Sequence, residues 1–344
     1  AVPWNDVIRF HDDRNEVKNM KGLKKCVALM LCLLMTIGLT GCGAGEKKAE
    51  EIHIGYFNNV THAQALLMKS EKSLEKRVGE GMKVTWTAFN AGPAEVEALF
   101  AGDIDIGYIG PVPAVSANVK SNGDVVILSS ATKGGAVLIK RSDSGINSVA
   151  ELAGKVVAIP QIGNTQHLDL LRLLQENGLK PVTEGGNVNV SAVANADVAN
   201  MMGRGDIDAA LVPEPWGSTL LEGGAELLLD YDKIYMQGQS DVAVVVVRKE
   251  FREKNPELVE KFLEEHKAVT DQINNDKENS LKKINEELKA ATGKSLAESV
   301  ITGAFQRIGV STELNKESVM GYAQISKEQD FIKEVPKEDA LFAK

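Results

Sequence analysis

Five short segments concentrate the residues able to do chemistry, and each follows an apolar run. They are Asn58-Asn59-Val60-Thr61-His62, Asn90-Ala91-Gly92-Pro93-Ala94-Glu95, Tyr108-Ile109-Gly110-Pro111-Val112-Pro113, Gln161-Ile162-Gly163-Asn164-Thr165-Gln166-His167 and Val212-Pro213-Glu214-Pro215-Trp216-Gly217. Amide, hydroxyl and imidazole groups that open a helix suit a small anion or zwitterion, because the first backbone N–H groups of a helix have no internal partner. In that reading Asn59, His62, Asn164, Thr165, Gln166 and His167 are polar contacts. Asn90 is a cap, Ala91 and Gly92 give access to backbone, and Pro93 suits a first helical turn. Gly110 and Pro111 form a rigid turn nearly free of side-chain donors. Tyr108 and Trp216 are apolar walls, and Glu214, fixed between two prolines, would meet an ammonium.

Each segment also has a plainer reading. Gly and Pro punctuate turns, Trp216 fills a core, and Asn90 and Thr165 cap helices. Lys133 is either a countercharge for the anion or an ordinary exposed lysine. His62 and His167 are either a pair at one cleft or polar residues that open helices. What favours the cleft is the joint placement of the segments at strand ends.

Catalysis has little support. From Cys42 onward histidines stand at His53, His62, His167 and His266, but no H-E-x-x-H, G-x-S-x-G or phosphate-binding G-x-x-x-x-G-K-[ST] pattern occurs. No catalytic residue, metal ligand or cofactor is expected. The cysteines are Cys26, Cys32 and Cys42 only, so a disulfide framework is excluded. The 344 residues carry 39 Lys+Arg against 48 Asp+Glu, a formal charge of −9, which argues against a nucleic-acid scaffold.

The elements that must position these segments come from a duplication. Ala101-Gly102-Asp103-Ile104-Asp105 recurs 103 positions later as Arg204-Gly205-Asp206-Ile207-Asp208. The same offset carries Ile54-Gly55-Tyr56-Phe57 onto Val157-Ala158-Ile159-Pro160. Each half reads as strand, polar turn, helix, strand, helix, Gly-Asp turn and strand. The helices are expected at 63–69 and 94–100 in one half and at 168–177 and 197–202 in the other. The strands are expected at 83–89 and 104–109, and at 188–193 and 209–212. Alternating strands and helices imply parallel sheets with right-handed crossovers. The fold class is therefore α/β, with two similar lobes, each a mainly parallel sheet flanked by helices. The apolar runs 135–141 and 241–249 both close on a basic pair. They are either two crossover strands forming a hinge or ordinary core strands. The expected division is 51–140 with 244–344 as lobe 1 and 141–243 as lobe 2. A C-terminal helical tail, starting with an amphipathic helix over 256–274, is expected to pack on lobe 1.

The N-terminus reads as an address. Met20-Lys21-Gly22-Leu23-Lys24-Lys25 is basic, 26–39 is apolar, and Leu39-Thr40-Gly41-Cys42 ends it. This is a secretory signal over 20–41, with a polar tether through residue 50. Residues 1–19 precede Met20 and are read as an extension outside the fold.

The chain resembles the substrate-binding lipoproteins of ABC importers in the sulfonate, taurine and nitrate group, with the type II periplasmic-binding-protein fold. The resemblance is carried by Leu39-Thr40-Gly41-Cys42, Asn90-Ala91-Gly92-Pro93, the run from Ala101 to Pro113, Gly163-Asn164-Thr165-Gln166, Glu214-Pro215-Trp216 and Asn255-Pro256-Glu257-Leu258-Val259. It departs from the family where Asn90-Ala91 and Asn164 replace frequent serines. The resemblance implies a monomer outside the cytoplasm, lipid-anchored to the bacterial membrane through Cys42. It implies that a small alkanesulfonate-, taurine- or nitrate-like solute is captured between the lobes and passed to a permease and its ATPase. Binding of a thiamine-precursor pyrimidine, or a pyrimidine synthase on the same fold, is the alternative that the same superfamily offers.

Overall fold

The computed structural model describes residues 49–343. The signal segment 20–41, the residues before it and the lipidation candidate Cys42 lie outside the described residues. Among the described residues no helix is long and apolar enough to cross a membrane.

The described residues form eleven strands: β1 (Glu51–Phe57), β2 (Lys83–Phe89), β3 (Ile106–Ile109), β4 (Val125–Gly134), β5 (Ala136–Lys140), β6 (Val156–Ile159), β7 (Asn189–Ala192), β8 (Ala209–Pro213), β9 (Glu226–Leu229), β10 (Asp241–Arg248) and β11 (Ile308–Val310). They make two sheets. The six-stranded sheet has the order β11-β4-β10-β3-β1-β2, and the five-stranded sheet has the order β7-β6-β8-β5-β9. Each has one reversed strand set among parallel ones, and the first sheet also ends on the reversed edge strand β11, antiparallel to β4. β10 runs antiparallel between β3 and β4, and β5 runs antiparallel between β8 and β9.

The duplication is exact in register. Ile54 pairs with Ile106 and Gly55 with Gly107 in the first sheet, while 103 residues later Val157 pairs with Ala209 and Ala158 with Ala210 in the second. The Gly-Asp turn ends the helix Gly92–Ala101 on Gly102 at φ 79°, a left-handed conformation that glycine adopts without steric cost. Gly205 takes φ 80° at the corresponding point of the second half.

The last aspartate of each repeat has a use that spacing alone does not show. Asp105 Oδ2 accepts the His53 amide hydrogen at 2.9 Å and its other oxygen pairs with Arg248. Asp208 Oδ2 accepts the Val156 amide hydrogen at 2.9 Å and Oδ1 accepts from Arg141 at 3.0 Å. Each carboxylate, at the start of β3 or β8, thus ties the parallel strand on one side of it to the end of the reversed strand on the other. The arginine of each basic pair that closes the two apolar runs is explained by this contact; Lys140 pairs with Glu226 instead.

The crossings between sheets differ in detail from the expected ones. The runs 135–141 and 241–249 do not pair with each other; each is a hydrogen-bonded strand within one sheet. The outward crossing is the short Gly134-Gly135 step, where Gly134 N–H donates to Ser240 O at 3.0 Å. The return runs through 230–240, with a short helix Tyr231–Ile234. The boundaries expected at 140 and 243 accordingly shift. Residues 136–140 pair in the second sheet and 241–243 in the first, because β5 and β10 find their ladder partners there. Both backbone φ values at Gly134 and Gly135 are positive, 69° and 78°. A Cβ at Gly134 would stand 2.8 Å from Arg307 O, so two glycines suit this step.

Apolar clusters cover both faces of each sheet. In the tail, Val259, Phe262, Val269 and Ile273 of the helix Pro256–Asn275 are buried in the first-sheet core. The tail is not confined to that lobe. Arg307 reaches Asp230 at 2.8 Å and Glu214 at 3.3 Å, and the Tyr322 hydroxyl donates to Asp169 Oδ1 at 3.1 Å. A small cluster of Val112, Leu168, Leu171 and Tyr322 joins residues of both sheets' layers.

Candidate functional site

In open α/β sheets the space beyond the carboxyl ends of parallel strands is left uncovered by the crossover helices, and ligands bind there. Here the ends of β1, β3 and β8 and the loop after β6 converge on one cavity. It is lined by Phe57, Asn59, Thr61, His62, Gly92, Gly110, Pro113, Asn164, Thr165, Gln166, Pro213 and Val242, and its volume is about 30 Å³. The two halves are nearly in contact across it. A Cβ at Gly110 would stand 2.4 Å from Thr165 Oγ1, so only glycine lets the second-half hydroxyl sit against the first-half turn. Wider grooves elsewhere, such as that lined by Lys277, Leu281, Leu296 and Ile301, lie between tail helices and contain none of these strand-end residues.

Of the residues expected at a site, Asn59, His62, Gly92, Gly110, Asn164, Thr165 and Gln166 line this cavity. His62 Nδ1 accepts the Phe57 amide hydrogen at 3.0 Å, and the ring stacks on Phe57 with centroids 4.4 Å apart. Burial pushes its pKa down to about 3. His167 repeats the device: its Nδ1 accepts from Gly163 N–H at 3.1 Å, and burial lowers its pKa to about 4. Both rings are therefore neutral latches on their own loops near neutral pH. Its edge contact with Phe331 of the tail keeps His167 outside the lining.

Asn164 caps the helix Thr165–Glu176. Its Oδ1 accepts the His167 amide hydrogen at 2.8 Å and its Nδ2 donates to Gln166 Oε1 at 3.0 Å. Thr61 donates its hydroxyl hydrogen to Asn59 Oδ1. Thr165 Oγ1 is buried and has no hydrogen-bond partner. Gly92 is packed so tightly on Pro113 that a Cβ would stand 2.3 Å from Pro113 Cγ.

Other expected site residues are placed elsewhere. Tyr108 is a core residue: its hydroxyl meets His266 Nδ1 at 2.9 Å, and His266 Nε2 lies 2.8 Å from Ser130 O. The carbonyl can only accept, so Nε2 carries the ring hydrogen and the Tyr108 hydroxyl donates to Nδ1. Glu214 is fully buried and already engaged, accepting from Ser218 N–H at 2.9 Å, from the Ser218 hydroxyl at 3.0 Å and from Arg307 at 3.3 Å. Burial raises its pKa despite these donors. Trp216 packs against the second-sheet cluster. Lys133 stands opposite Asp241 on the β4–β10 ladder, outside the lining. Asn90 is exposed and makes no cap; the cap position falls on Ala91, which like Pro111 is buried beside the lining residues. Tyr108 lies near the end of β3, and Glu214 and Trp216 follow the end of β8, but spacing does not say which way each side chain turns.

Phe57, Thr61, Pro113 and Pro213 complete the lining from within or beside the expected segments. Val242 comes from the reversed strand, and no local signal marks it.

Residues 45–285 match the NMT1-like family. The chain belongs to the NMT1-like family. Among curated relatives, the taurine-binding periplasmic protein of Escherichia coli (strain K12) is 31% identical over 216 residues, 62% of this chain and 64% of that protein. Among solved structures, the alkanesulfonate-binding protein of Xanthomonas axonopodis pv. citri bound to MOPS superposes with a TM-score of 0.70 at 24% identity, covering 84% of this chain and 96% of that one. The periplasmic aliphatic sulphonate binding protein of Escherichia coli gives a TM-score of 0.69 at 25% identity, covering 86% and 92%. This NMT1-like chain thus shares the two-sheet fold of those binding proteins, with its cavity at the strand ends of both sheets.

Proposed function

We propose that this chain is the solute-binding component of an ABC importer, which captures a small oxyanion of the alkanesulfonate, taurine or nitrate kind between its lobes. One lobe is formed by residues 49–134 with 241–343 and the other by 136–240. The observation that carries the reading is that a single cavity takes its lining from both: Phe57, His62 and Gly110 on one side, Asn164, Thr165 and Pro213 on the other. A solute held there touches both lobes only when they are closed. Its differential affinity for the closed form is what signals loading.

The ligand contacts are Asn59, His62, Gly92, Gly110, Asn164, Thr165 and Gln166, with Ala91 and Pro111 supporting the turns. The chain is not an enzyme in this reading. It works outside the cytoplasm as a monomer, tethered by a lipid on Cys42, and delivers its solute to a permease with its ATPase. Thermal unfolding of the mature chain against alkanesulfonates, taurine, nitrate and pyrimidines tests the reading. The expected result is a rise in Tm with one oxyanion class; no rise with any solute, or a rise with pyrimidines alone, would overturn it. Lipidation is read separately, by loss of fatty-acid labelling in Cys42→Ala.

A further inference from the structure

No residue lining the interlobe cavity carries a charged side chain. Of the two groups best suited by type to charge recognition, Glu214 is engaged by Ser218 and Arg307, and Lys133 is not among the lining residues. What the cavity does hold is uncharged donors. The Phe57 amide hydrogen points at His62 Nδ1, so that nitrogen must accept and the ring hydrogen sits on Nε2. An imidazolium would set N–H against N–H here, so the geometry itself demands the neutral ring. From the other lobe, Thr165 Oγ1 is buried against Gly110 with no protein partner. A buried polar atom without a partner is costly, and such an atom facing a binding cavity is explained by a partner that arrives with the ligand.

We propose that His62, through its Nε2–H, is the specificity-determining donor of the first lobe, and that with the Thr165 hydroxyl of the second it selects a singly charged oxyanion over a zwitterion or a dianion of the same size. The inference rests on the solute-binding reading above and sharpens it. Desolvating one diffuse negative charge can be offset by several hydrogen bonds. A second negative charge raises the desolvation cost while the donors stay the same. An ammonium brought in with the anion meets no carboxylate among the lining residues, and Glu214 is already engaged by Ser218 and Arg307.

Three probes that differ by at most one heavy atom separate these cases: ethanesulfonate, taurine, and ethylphosphonate at alkaline pH, where it carries two charges. Calorimetric titration of the mature chain is expected to rank ethanesulfonate first, with the other two weaker by roughly tenfold or more. Thr165→Val keeps the shape and removes a hydroxyl that nothing in the protein uses. It should bind ethanesulfonate roughly tenfold more weakly while unfolding at the same or a higher temperature. His62→Phe keeps a ring on Phe57 and loses the donor, and should weaken binding similarly; His62→Gln, with both an acceptor and a donor, should recover part of it. Equal or tighter binding of taurine or ethylphosphonate, or wild-type affinity in both Thr165→Val and His62→Phe, would overturn the proposal and leave the solute-binding function standing. Binding of no probe and no other solute by the wild type would overturn both.

Discussion

Glu95 is the side chain least expected from its surroundings. It is fully buried, neither carboxyl oxygen has a partner, and it presses on Gly55 and Gly107, where a Cβ would stand 2.2 Å and 2.3 Å from its Oε1. Burial pushes its pKa well above the usual 4.5. The folded chain therefore keeps the proton to higher pH than the unfolded chain does, and stability falls as pH rises past 4.5. Glu95→Met should stabilise the protein by about 1–3 kcal/mol near neutral pH, with the gain shrinking as pH drops toward the ordinary carboxylate range. Urea unfolding of both proteins at several pH values measures it. Tyr108 makes the opposite case. Its hydroxyl bonds His266 in the core, so Tyr108→Phe should cost roughly 1 kcal/mol in the same measurement and leave solute affinity unchanged. A loss of affinity in that variant would return Tyr108 to the binding site.

At the scale of elements, the two Asp–Arg contacts are the repeated fastening of the fold. Asp105 with Arg248 and Asp208 with Arg141 each join a parallel strand to the reversed strand. Asp105 is the more enclosed, its side chain 6% exposed against 17% for Asp208, so its contacts are less screened by solvent. Asp105→Ala should therefore destabilise more than Asp208→Ala, by about 2 kcal/mol against about 1 kcal/mol in denaturant unfolding. Equal losses would mean that the backbone N–H bond, common to both, supplies nearly all the effect.

At the scale of the molecule, the tail touches the second lobe through buried groups. Asp169 is buried, accepts the Tyr322 hydroxyl, and has a pKa raised by burial from 3.8 to about 7, with Arg172 opposing that rise. Tyr235, tilted against Tyr322 with centroids 4.7 Å apart, is a further titratable group close by. The folded form binds this proton more tightly than the unfolded one. Asp169 therefore lowers stability as pH rises from about 4 to about 7, and has no further effect above that window. Asp169→Asn should remove this part of the slope, so the difference between variant and wild type should grow in the variant's favour from acid to neutral pH. A constant difference across that range would mean that Asp169 is ionised throughout in the folded protein.

Much of this architecture was legible in the residues. The repeat at 103 positions predicted two similar α/β halves, because strands and helices recur with the same hydrophobic periods and turn glycines wherever the same crossover is built. The strand-end segments followed from it, since parallel sheets leave those ends open, and seven of the expected contacts line the cavity. Local sequence could not settle the direction of Tyr108, the capture of Glu214 by Arg307, or the entry of Val242 from the reversed strand. Tyr108 stands on a strand whose two faces are both buried, so alternation gives no preferred side. Arg307 lies 93 positions from Glu214, and no periodicity links residues that distant. The sequence by itself determined which segments surround a cleft; only tertiary packing decided which of their side chains stay unpartnered there, because that depends on charges and strands arriving from elsewhere in the chain.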